Sequence, residues 1–231
     1  RGTPEEYGVI VYKMGFCSSD IASGGEGSTP DFSSCEVVYD NSAGETASFA
    51  AGGSFTLSAA SSSFPSAGSY THAFLLFGAE FNIKSKMGPF GDGTTYYTNG
   101  SSPDPTGAEG NMSTDIGDYA MSTSPMNTFD GDGGNCVPTW TGTPVAGGDA
   151  LSAYLISSAD GSILESSNGA VCSGHDKILG ISATALTITS SIKSLTTTFD
   201  VTNNGTTFWV AEDDVPTGDS GPFSISFTIT E

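Results

Sequence analysis

The run 223–230 sets the strongest limit on what this chain can fold into. Phe223, Ile225, Phe227 and Ile229 alternate with Ser224, Ser226, Thr228 and Thr230, a period of two that suits a half-buried strand and no helix. The same grain recurs upstream. Residues 7–16 (YGVIVYKMGF) are apolar on both alternating faces, with Val9 and Val11 on one and Ile10, Tyr12 and Met14 on the other, which predicts a strand covered on two sides. Residues 70–83 hold the densest apolar run, Ala73 through Phe77, and a further strand is read at 54–58. Turn formers punctuate these segments. Asp40 to Gly44 separates 37–39 from 46–49, Asp160-Gly161 separates 153–158 from 162–166, and Asn204-Gly205 separates 196–202 from 207–211; each predicts a hairpin. With about ten strands and no defensible helix, the expected fold is all-β, an antiparallel β-sandwich of jelly-roll or Ig-like type.

Composition agrees with that pattern. Ser (35), Thr (27) and Gly (31) make up 93 of the 231 residues, a poor stock for long helices. Yet 36% hydrophobic and 10% aromatic residues, clustered in short segments, suffice to bury a core. Residues 88–150 lose the alternation and are rich in Gly, Asp and Ser. They are expected to form a long irregular insertion in a single domain spanning 1–231. Because no apolar run approaches the roughly 18 residues of a membrane helix, no membrane insertion is expected.

Charge narrows the partners. Twenty-six Asp and Glu face six Lys and Arg, for a net charge of −20. A duplex needs a basic face to displace its counterions, so no nucleic acid is expected, and anionic membrane surfaces are excluded on the same ground. Cys17, Cys35, Cys136 and Cys172 contain no CxxC pair and no neighbouring His at metal-ligand spacing. Disulfides in an oxidising, extracellular compartment fit better than zinc. The pairing Cys17–Cys35 with Cys136–Cys172 is favoured because the first bond closes a single Gly-rich loop.

Gly218-Asp219-Ser220-Gly221-Pro222 resembles the nucleophile segment of chymotrypsin-like serine proteases, and His72 lies upstream as that family's order requires. The resemblance spans five residues, lacks the family's second glycine after the serine and leaves only 11 residues beyond Ser220. A turn leading into the last strand is the expected reading, with no enzymatic activity. Asp130 and Asp132 alternate with glycines in 129–134, a spacing that lets carboxylates and carbonyls converge on a hard cation. Calcium is the candidate, with Asp115 and Asp118 able to complete the shell. Tyr96, Tyr97, Tyr119, Phe129 and Trp140 could stack on sugars or pin loops to the sandwich. Asn99, Asn111 and Asn204 each open an N-glycosylation acceptor pattern.

These features predict a secreted or surface structural protein, similar in general character to the β-sandwich subunits of filaments, sheaths and pili, that assembles with copies of itself into a filament, sheath or virion surface. The strand carrying Val9, Ile10, Val11, Tyr12 and Met14 is the expected assembly element, since both its faces need cover. The alternative is a calcium-assisted module that binds carbohydrate through the aromatics of the long region.

Overall fold

The structure, a computed structural model, describes the chain except for residues 51–62, 104–108, 130–134, 144–149, 170, 184, 211–213, 222 and 231. The strand expected at 54–58 therefore lies outside the described residues. The chain is all-β, with 55% strand and 3% helix. The first strands are β1 (Glu6–Cys17), β2 (Cys35–Phe49), β3 (Gly68–Tyr70), β4 (His72–Lys84), β5 (Lys86–Met87) and β6 (Tyr96–Thr98). There follow β7 (Met112–Ser113), β8 (Ser122–Pro125), β9 (Asn135–Cys136), β10 (Thr139–Gly142), β11 (Leu151–Ser157) and β12 (Ser167–Asn168). The last are β13 (His175–Ser182), β14 (Leu186–Ile188), β15 (Ser194–Asp200), β16 (Thr206–Val210), β17 (Pro216–Ser220) and β18 (Ser224–Thr230).

Seven of these strands form one antiparallel sheet in the order β10–β11–β13–β4–β1–β2, with β8 also on β4. One edge of β4 takes β1 along its whole length. The other is shared between β13, opposite 73–78, and β8, opposite 80–83. Through β8 and β10 the irregular stretch 88–150 is thus tied into the main sheet.

Two expectations about register are corrected. The first concerns β1, where both registers step over Tyr12 between Val11 and Lys13. This bulge turns Met14 into the core that Val9 and Val11 occupy, away from the face of Ile10 and Tyr12. Ile10 and Tyr12 stay half-buried, so the strand is less symmetrically covered than simple alternation implies. The second concerns Asp40 to Gly44, which is no hairpin. Tyr39 pairs with Met14, Asp40 with Lys13 and Glu45 with Val11, so both flanks lie on β1 in one continuous strand. The intervening residues 41–44 loop out, held by Asn41, whose Oδ1 accepts from Ala43 N and whose Nδ2 donates to the Gly44 carbonyl. Gly44, at φ 76°, supplies the left-handed residue this excursion needs.

The hairpin at Asn204-Gly205 is corrected too, because β15 pairs with β18 and β16 with β17. The chain does reverse there, but its two arms do not pair with each other: β15 finds a distant partner in β18, and β16 turns back on the next strand, β17. At Asp160-Gly161 the reversal is local, with Ile156 bridging Ile163 and Ser157 N donating to the Ser162 carbonyl.

The β15–β18 ribbon lies across the main sheet and makes the second layer. Phe227 meets Phe16 with ring centroids 5.1 Å apart, Phe223 meets Phe77 at 5.6 Å and Tyr7 at 6.0 Å. Thr197 Oγ1 reaches Met14 Sδ at 3.1 Å. Val9, Val11, Phe16, Ile83 and Leu155 are fully buried in this core, each worth about 1.5–3 kcal/mol of transfer free energy. A smaller cluster, including Ile21, Ala22 and Ile163, covers the opposite face against Phe74, Leu179 and Ile181, with Phe32 packed beside it.

Candidate functional site

Sheet edges are where a strand's backbone can still meet another chain, and here they differ sharply. On β2, the outermost strand beside β1, Glu36, Asp40 and Glu45 supply charge and residues 41–44 break the line. Those are the usual devices that blunt an edge. β18 has none of them. Ile225, Phe227 and Ile229 pack on the core, Ser226, Thr228 and Thr230 are exposed, and Ser224–Thr230 contains no charge, proline or glycine. Among the described residues β18 pairs only with β15, so its second edge has no strand partner.

The strand expected to drive assembly sits differently. β1 lies between β2 and β4: Val9 faces Ala47 on one side and Phe81 on the other, and Met14 faces Tyr39 and Leu75. Its hydrogen-bonding edges are occupied by its own chain. Val9, Val11 and Met14 belong to the core, and Ile10 and Tyr12 form part of a shallow groove on the outer face.

Cys17 is bonded to Cys35 and Cys136 to Cys172, the pairing favoured by the loop spans. The first bond joins a register pair of β1 and β2 and closes a loop of 18 residues' separation, worth about 3 kcal/mol in the chain-entropy account. No free cysteine is present.

Ser220 ends β17 as the register partner of Thr206. Its backbone N–H donates to Ser124 Oγ at 3.0 Å and to Asp219 Oδ1 at 2.7 Å, and the Ser124 hydroxyl donates to the same carboxylate. Burial pushes the Asp219 carboxyl above its ordinary value against these hydrogen bonds, and burial, aided by Asp219, pushes the Tyr7 phenol well up. Ser124 pairs with Phe81, whereas His72 stands at the other end of β4, opposite Cys17. Nine residue steps along β4 separate these positions, about 30 Å. His72 instead bonds Thr71 Oγ1 at 2.9 Å. The motif's last glycine has a packing reason: a Cβ on Gly221 would overlap the Asn204 carbonyl.

Asp130 and Asp132 lie outside the described residues. Asp115 and Asp118 occupy one short turn, where Asp115 Oδ1 accepts from Gly117 N at 2.8 Å and Asp118 Oδ2 from the Ser113 hydroxyl at 2.7 Å. Among the described residues no three His, Cys, Asp or Glu side chains cluster as a metal site.

The five aromatics divide. The rings of Tyr97 and Tyr119 meet at 5.1 Å with their planes tilted by 55°, and Lys84 lies 4.6 Å over Tyr119, so this pair fastens a loop. Phe129 and Trp140 line a cleft of about 400 Å³ floored by Phe77, Phe81 and Phe223. Tyr96 lines another, with Phe90 and Trp209, which the sequence did not single out. Asn111, one of the glycosylation patterns, is fully buried. Its amide bonds both backbone groups of Gly218, at 2.8 Å each, and so carries β17.

No protein-family model matches the sequence, and neither a curated protein nor a solved structure matches it.

Proposed function

We propose that this protein is a secreted or surface structural subunit that assembles with copies of itself into a filament or sheath, with the outer edge of β18 as a seam. The observation that supports this reading is an edge of seven residues that is regular, uncharged and unblunted in a chain of net charge −20. Added strands gain main-chain hydrogen bonds from such an edge. Two acidic copies also meet there with the least repulsion, since β2 presents carboxylates. Two disulfides are compatible with an extracellular setting.

The test is Ser226→Glu/Thr228→Glu, which adds like charge to the exposed positions and leaves the core face intact. Negative-stain microscopy of wild type is expected to find polymers, and the double variant is expected to remain a folded monomer with a melting temperature close to wild type. Wild-type protein that stays monomeric at high concentration overturns the reading. Polymers unchanged in the variant remove β18 from it.

A further inference from the structure

Lysines are scarce in this chain, and the structure uses them consistently. Lys13 lies 3.1 Å from Asp40 and over the Phe32 ring, and Lys177 lies 2.6 Å from Asp176 and over Tyr12. Lys86 is 2.8 Å from Glu5, and Lys84 covers Tyr119. Lys193 is exposed and has neither an acid nor a ring against it among the described residues.

A receptor of the matching kind exists elsewhere. A groove of about 460 Å³ is walled by Met87, Phe90, Tyr96 and Trp209, with Asp92 and Asp214 exposed at its rim. The rings of Phe90 and Tyr96 stand 6.1 Å apart at 73°, giving two walls of a box. Phe90 keeps 45% of its surface exposed in a protein that buries most of its aromatic area. The Thr94 backbone N–H, 2.9 Å from Asp92 Oδ1, holds that carboxyl below its ordinary range and so ionised. Aromatic faces beside carboxylates recognise an ammonium group by cation–π and charge attraction together.

Lys193 cannot fill this groove in its own molecule. Its backbone N–H donates to the Thr230 carbonyl, beyond Phe227, which packs on Phe16 near the Cys17 end of β1. The groove belongs to the opposite end, where Glu6 pairs with Lys84 and β5 follows. The eleven steps of β1 between those ends span about 36 Å, far beyond a lysine's reach.

We propose that the groove of Phe90, Tyr96 and Trp209, with Asp92 and Asp214, receives Lys193 of a second copy. The contact rests on the self-assembly reading and adds a direction to it. Groove and lysine are different surfaces at opposite ends, so the contact is heterologous and runs head to tail, building an open filament wherever its rotation does not close a ring. The β18 edge then acts sideways.

Polymer onset measured by sedimentation decides it, with wild type, Lys193→Glu and Asp92→Lys/Asp214→Lys. Each variant alone is expected to raise the onset concentration at least tenfold. In an equimolar mixture each variant supplies what the other lacks: the unaltered groove of the first meets the unaltered Lys193 of the second, and the basic groove of the second meets the acid that the first carries at position 193. The mixture is therefore expected to polymerise close to the wild-type onset. Lys193→Glu polymerising like wild type overturns the contact and leaves self-assembly standing, and so does a mixture that stays as poor as its components. A wild type that never polymerises overturns both.

Discussion

The main sheet and the β15–β18 ribbon are built from the same residue types and serve opposite ends. In the sheet, β1 and β4 have both edges paired and both faces at least partly covered. In the ribbon, Ile225, Phe227 and Ile229 press one face on the core, while the other face is exposed and, among the described residues, one edge of β18 has no strand partner. On the proposed reading, stability is concentrated in the fully paired strands and binding is left to an edge where less of it is at stake. A strand that is marginal alone can still be held firmly once a neighbour adds a third strand.

The largest test of that contrast compares two phenylalanines. Phe81→Ala, in β4 and 2% exposed, is expected to cost about 3–5 kcal/mol in chemical denaturation. Phe227→Ala, only partly buried, is expected to cost less than half as much in the monomer. Equal losses would erase the distinction between the layers.

Next in size is Asn111→Ala, which strips both backbone groups of Gly218 of their partner. The expected loss is about 1–3 kcal/mol, the cost of leaving buried polar groups unmet. Hydrogen exchange should rise in β16 and β17 before it rises in β1. A uniform rise would mean that the ribbons do not open independently of the sheet.

The smallest effect depends on pH. Burial raises the Asp219 carboxyl above its ordinary value in the folded protein, so folding favours its protonated form. Its contribution to stability is fully present below the unfolded pKa and is lost as pH rises through the folded one. Asp219→Asn, which keeps acceptors for Ser124 and Ser220, should therefore melt a few degrees higher than wild type at neutral pH and no higher in acid, below the unfolded carboxyl's range. A variant less stable at neutral pH would show that the ionised carboxylate holds β17 to β8.

Much of the fold was legible where the signal is local. Alternation located β1 and β18, a dense apolar run located β4, and loop span selected the disulfide pairing. What escaped depends on residues far apart. Nothing in Asp40 to Gly44 separates a hairpin turn from a four-residue bulge, because the outcome is decided by which stretches of β1 accept the flanks. Asn204-Gly205 signals a reversal but cannot name the partners of its arms. Met14 changes face through a bulge whose cause is the pairing on both sides. Of the candidate site, the uncharged run 224–230 was visible as sequence, but that it forms an edge follows only from the sheet order. Phe90 and Trp209, 119 positions apart, offered no pattern that would join them.

The long pairing of β1 also has a mechanical meaning. Ten register pairs bind it to β2 and ten to β4, in rows that run along the strand with their hydrogen bonds perpendicular to any pull on it. A tensile load would have to shear these rows together instead of unzipping them one by one. The Cys17–Cys35 bond at the end of the row then acts as a covalent stop, so slip beyond it cannot pass to β2 without breaking a bond. Resistance to force is set by the rate of such an event and not by equilibrium stability, which makes the middle of the sheet the tension member of any polymer this protein builds.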